Sequence, residues 1–110
     1  MSFFDLDTEK YVIGSIVQFQ EAAEYCAERL ERDDFYDERN QMMWDATVDL
    51  MEKGAKVTPA SMEDAHRKKF GKDLDIVHFV ECQSSVASGA EISTWVSRLD
   101  DCSARRFMVT

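Results

Sequence analysis

Apolar residues recur along this chain mostly three, four and seven positions apart, the spacing that puts them on one side of an α-helix. The first such segment follows Asp7-Thr8-Glu9, where Asp or Thr can accept hydrogen bonds from the open amides of a first turn. Tyr11, Val12, Ile13, Ile16 and Val17 form its stripe. Gly14 and Ser15 interrupt it, and a Gly costs a helix about 1 kcal/mol relative to Ala. Two readings stay open for Gly14: close approach of another helix, or a tolerated surface position. A second helix is expected from Gln20 to Arg32, with Ala23, Cys26, Ala27 and Leu30 on one side and Asp33-Asp34 at its end. Phe35-Tyr36 then reads as an aromatic plug between helices.

Asp37 is placed to cap a third helix running to about Lys53, with Met43, Trp44, Thr47, Leu50 and Met51 on one broad face. Gly54 suits the left-handed residue that closes a helix. Thr58-Pro59-Ala60-Ser61 predicts another start, because Pro lacks only an amide that the first turn leaves unbonded. That fourth helix carries Met62, Ala65, His66 and Phe70 and stops at Gly71. Leu74 to Cys82 is apolar almost throughout; no partner strand is in sight, so a short fifth helix is expected. Ser84 to Ala90 is small and polar, a loop. Ile92, Trp95, Val96, Leu99, Cys102 and Ala104 mark a sixth helix. It reaches Met108-Val109-Thr110 with no cap or breaker, the pattern of a helix meant to go on.

Composition agrees with an all-α chain. Four Gly and one Pro are too few for the frequent turns of a β-sandwich or barrel. At 110 residues and 45% apolar, one domain can bury a core without disulfide or metal staples. The first residues lack a signal peptide's cationic start and apolar stretch. No run approaches the roughly 18–20 apolar residues of a membrane span, so a cytoplasmic location without membrane contact is expected.

Charge narrows the function. With 22 acidic and 13 basic residues the chain carries −9, while phosphate backbones are bound by clustered Lys and Arg. His66-Arg67-Lys68-Lys69, with Lys72 close behind, is the one basic run, and it reads as a solvated helix face. Direct nucleic-acid binding is therefore not expected. Cys26, Cys82 and Cys102 have no C-x-x-C spacing and no His at ligand distance in sequence; they read as thiols packed like small hydrophobes. There is no G-x-x-x-x-G-K-[ST] loop, nucleophile elbow, H-E-x-x-H or EF-hand loop. His78 has no nucleophile or carboxylate set beside it by the sequence and reads as a core or boundary histidine. No catalytic residue, metal or cofactor is expected.

Several motifs stand in a recognisable order. Glu9-Lys10-Tyr11-Val12-Ile13-Gly14-Ser15-Ile16-Val17 is followed by Asp34-Phe35-Tyr36, then Leu50-Met51-Glu52-Lys53-Gly54 and Val57-Thr58-Pro59-Ala60-Ser61-Met62. Ala87-Ser88-Gly89-Ala90-Glu91-Ile92 and Trp95-Val96-Ser97-Arg98-Leu99, with Ser103 and Arg106, close the series. In order and spacing they resemble the N-terminal domain of DnaB-type replicative DNA helicases along nearly the whole chain. Leu74-Asp75 replaces the family's usual Gly-Gly and Ala87 its loop proline, as in a divergent, phage- or mobile-element-encoded member.

The resemblance implies a small helical bundle whose last helix begins a protruding helical hairpin. On it, residues 1–90 form the bundle and 91–110 the first hairpin arm. It further implies subunit pairing in an N-terminal collar, with contact to primase or a helicase loader. Catalysis would belong to an ATPase domain elsewhere in a longer protein. Ile92, Trp95, Leu99, Cys102 and Arg106 are the interface candidates, for packing in the hairpin or against a second subunit. For Trp95 and Leu99, sealing the bundle is an equal alternative. A second functional reading is a complete small phage- or plasmid-borne protein that imitates this domain and binds the host helicase, loader or primase as adaptor or inhibitor.

Overall fold

A computed structural model describes residues 4–88 and 91–108. The expectations for Met1 to Phe3, for Gly89-Ala90 in the loop and for Val109-Thr110 lie outside them. Among the described residues there are six α-helices, one 3-10 turn and no strand. Helix α1 spans Leu6–Gln18, α2 Gln20–Ala27, α3 Glu38–Glu52, α4 Pro59–Phe70, α5 Ile76–Ser84 and α6 Ile92–Met108.

Helix α1 lies at the centre. Every residue from Val12 to Val17 is buried, because α2, α3, α5 and α6 all pack around it. It starts earlier than the sequence indicates: Asp5 is the cap, accepting from the Thr8 amide at 3.0 Å, while Thr8 itself is buried. The two readings of Gly14 resolve in favour of close approach. A Cβ there would stand 2.0 Å from the Cys82 carbonyl oxygen on α5.

Helix α2 is shorter than expected. It stops at Ala27, and a 3-10 turn over Arg32–Asp34 follows, held by a reciprocal cap in which Asp34 accepts from the Glu31 amide at 2.7 Å. Leu30 stays buried across the break, which is why apolar periodicity passes through it unmarked. Ala27 is exposed and Ala22 takes the inner place. The aromatic plug is half as expected: Phe35 is buried against the Trp44 ring at 5.6 Å, whereas Tyr36 points outward.

The local signals of α3 and α4 act as the sequence indicates. Asp37 accepts from the Arg39 amide at 2.9 Å, and Gly54 and Gly71 both hold φ of 71° at the closing turns. Thr58 and Ser61 form a reciprocal capping box with Pro59 in the first turn. Met43, Trp44 and Leu50 are buried and join Met62, Ile13, Ile16, Phe79 and Leu99 in one core, with Thr47 buried on the same helix. Helix α5 begins at Ile76, capped by Asp75, and takes in Ser84; the described part of the following loop starts at Ser85. Helix α6 lies along α1 and the 3-10 turn, burying Val96, Leu99, Cys102 and Ser103, with Ala104 exposed.

Candidate protein-interaction surface

Three features define the surface: the exposed side of α6, the outer side of α5, and a buried polar chain joining α5 to the segment before α3. On α6 the five candidate residues separate. Leu99 and Cys102 are buried inside the chain. Trp95 is half-covered, its ring 5.2 Å from that of Tyr11, and Ile92 is likewise half-buried. Arg106 donates to the Asp33 carbonyl oxygen at 2.7 Å, and its guanidinium lies 5.8 Å from the Tyr36 ring. Tyr36 stacks on Phe4 with ring centroids 4.3 Å apart. The outward residues of α6 are mainly polar until Phe107 and Met108, which are exposed.

Helix α5 presents what the sequence did not announce. Its inner residues His78, Phe79 and Cys82 are buried, held close to α1 by the missing side chain of Gly14. Ile76, Val77 and Val80 consequently face outward, 52%, 67% and 50% exposed. The run Ile76-Val77-His78-Phe79-Val80 is apolar on both sides of the helix, so periodicity cannot tell inner from outer. Only the Asp75 cap, which fixes the first turn, and the Gly14 contact set the phase. Acidic and basic residues are balanced beside this stripe: Asp73 pairs with Arg67 at 2.7 Å, Asp75 with Arg39 at 3.6 Å and Glu81 with Lys10 at 3.5 Å.

Beneath α5 runs the polar chain. Fully buried Glu9 accepts from the Tyr36 amide at 2.9 Å, the Asp37 amide at 3.2 Å and Asn40 Nδ2 at 2.9 Å. Burial pushes its carboxyl above the ordinary range, and these three donors oppose that shift. Asn40 Oδ1 meets His78 Nε2 at 2.7 Å. Burial holds the His78 imidazole below its ordinary value, reinforced by the Arg39 charge. Arg39, hydrogen-bonded to Asp37, in turn lowers the Asp37 carboxyl. The acidic residue at the head of the first motif thus ties α1 to the α3 cap from within.

Chemistry for bond-making is not assembled at this surface. Burial pushes the Cys26 and Cys82 thiols up to about 12, so both stay protonated at neutral pH. Among the described residues no group of three His, Cys, Asp or Glu side chains could hold a metal ion, and no helix is long and apolar enough to cross a membrane. The basic run faces carboxylates of its own chain: Arg67 with Asp73 at 2.7 Å, Lys68 with Asp64 at 2.9 Å and Lys69 with Asp49 at 3.1 Å. His66 is buried, with Nδ1 2.9 Å from the Lys72 carbonyl oxygen.

Comparison with known proteins places this arrangement. The crystal structure of the N-terminal domain of DnaB helicase from Mycobacterium tuberculosis superposes with a TM-score of 0.85 at 23% identity, over 99% of this chain and 80% of that one. The N-terminal domain of DnaB helicase from Helicobacter pylori gives a TM-score of 0.78 at 19% identity, over 94% of this chain and 81% of that one. At these identities the likeness establishes the fold. No curated protein sequence matches the chain. The profile of the DnaB-like helicase N terminal domain matches residues 2–101, nearly the whole length. The chain therefore belongs to the DnaB-like helicase N-terminal domain family.

Proposed function

We propose that this chain is the protein-interaction and assembly domain of a replicative DNA helicase, which meets primase through α5 and pairs with a second subunit through α6. The observation that carries the reading is the outward stripe of Ile76, Val77 and Val80. Three adjacent large apolar side chains, each at least half exposed on a short helix, have a cost in water that a protein contact removes. The Helicobacter pylori domain of the same fold was described together with its interactions with primase, which supports primase as the occupant. Ile92, Trp95 and Arg106 keep part of their surface on α6 and are the residues proposed for pairing; Leu99 and Cys102 support that helix from the core side. A helicase loader is the competing partner for the α5 stripe.

Titration calorimetry with the cognate primase tests the main contact. Val77→Glu and Val80→Glu together should weaken binding by at least tenfold, since each puts a charge into a desolvated apolar contact. Unchanged affinity, or binding of the loader alone to this stripe, overturns the assignment. Sedimentation at several concentrations reads the pairing: Trp95→Ala with Arg106→Ala should shift the chain toward monomer.

A further inference from the structure

The polar chain under α5 has a proton inventory that the contacts fix. Asn40 directs its amide nitrogen to Glu9 Oε1 at 2.9 Å, which leaves its oxygen toward His78. An amide oxygen only accepts, so His78 Nε2 must carry the hydrogen in that 2.7 Å contact. The neutral imidazole then has its lone pair on Nδ1. That atom is buried and meets no hydrogen-bond partner among the described residues. A second proton would have to sit on Nδ1, creating a buried cationic donor with no acceptor, the arrangement that costs most in a core.

The charged and titratable groups around the ring come from every element packed against it. Lys10 acts from α1, Asp37 and Arg39 from the start of α3 and Asp75 from the cap of α5. Cys82 Sγ lies 3.7 Å from Nε2, Glu9 is reached through Asn40, and Glu81 pairs with Lys10. Asp37 and Asp75 favour a cation, but each is already engaged with Arg39. Arg39 and Lys10 oppose one.

We propose that His78 is an acid-sensitive pin: with one proton it fastens α5 to the Asn40–Glu9 pair, and a second proton releases α5 together with the apolar stripe on its outer side. The sign follows from linkage. When α5 opens, its histidine regains an ordinary affinity for protons, at a pKa of about 6.5. Between that value and the lower one of the closed state, the open state binds more protons, so the closed state loses stability as pH falls. At pH 5 an ordinary histidine favours the open state by at most about thirtyfold. Glu9 works in the opposite direction, since its raised carboxyl takes up a proton more readily in the folded chain. The pin acts whether or not α5 is the primase contact.

Histidine 15N resonances and amide exchange, corrected for intrinsic rates, test this on the whole chain between pH 7.5 and pH 5. His78 should show the Nε2–H tautomer at neutral pH and titrate below 6.5, resolved from His66. Protection of the α5 amides should fall at least fivefold more than that of α3. His78→Gln, which can still donate to Asn40 but does not titrate, should lose that difference while retaining any contribution from Glu9. Titration of His78 at 6.5 or above in the unaltered chain overturns the proposal, even if the variant fails to fold. So does α5 protection that stays within twofold of α3, or a His78→Gln chain that keeps the same pH dependence.

Discussion

At Gly14 a single absent methyl sets how two helices meet. The atoms that a Cβ would strike are the Cys82 carbonyl oxygen at 2.0 Å and its carbon at 2.9 Å, both backbone of α5 and unable to rotate aside. Val86 Cγ2 at 3.1 Å closes the third side. Gly14→Ala should therefore cost stability although Ala is the better helix former: overpacking of this kind costs about 1–3 kcal/mol, against a propensity gain of about 1 kcal/mol. Because the obstacle is backbone, the loss should lie at the upper end, about 2 kcal/mol net. Urea denaturation would show it as a lower midpoint at unchanged slope. Glu9 is a second residue whose burial has a definite use. Its carboxylate accepts from the Tyr36 and Asp37 amides, which precede the first turn of α3 and have no acceptor within a helix. The acidic residue at this point of the motif thus has a structural use in this chain.

At the level of elements, the ends of the helices are governed by short-range contacts. In α4, Thr58 Oγ1 accepts from the Ser61 amide at 3.1 Å while Ser61 Oγ accepts from the Thr58 amide at 2.8 Å. Thr58→Ala removes the first of these and should cost about 1 kcal/mol. For a chain of this size that is a fall in Tm of about 4 °C, measurable by circular dichroism. Such signals were readable in the sequence because the partners lie within three or four residues: Asp37, Thr58-Pro59, Gly54 and Gly71 all stand where the residue pattern put them. The end of α2 was not readable. Leu30 keeps the apolar phase through the break, and the Glu31–Asp34 bond that sets the 3-10 turn has no distinctive composition. The proposed interaction surface was legible in part. The apolar positions of α6 are evident from their spacing, but spacing does not say whether Leu99 and Cys102 face their own bundle or another chain, and they face their own. On α5 both sides are apolar, so its outward stripe emerges only when Gly14 brings the other side against α1.

Across the whole molecule, charge and topology both weigh against nucleic-acid binding. The family is a non-catalytic helical domain, and the chain has no phosphate-binding loop. Its net charge of −9 repels a polyanion at long range. The remaining question is local: α4 carries Arg67, Lys68 and Lys69 in succession, which on another protein would form a phosphate-binding strip. Here each lies within 3.1 Å of a carboxylate, from Asp73 beyond the helix, Asp64 one turn back and Asp49 on α3. A phosphate that displaces these partners gains one ion pair and loses another, and it releases fewer condensed counterions than an uncompensated strip would. Fluorescence anisotropy with labelled single-stranded DNA should therefore show no saturable binding at about 0.15 M salt up to about 100 μM protein, the weak end of ordinary non-specific affinity. Binding below that concentration, weakened as salt rises and lost in Lys68→Glu with Lys69→Glu, would mean that the carboxylates do not neutralise the strip. With the strip neutralised, the exposed apolar stripe of Ile76, Val77 and Val80 on α5 stands as the surface proposed for a protein partner.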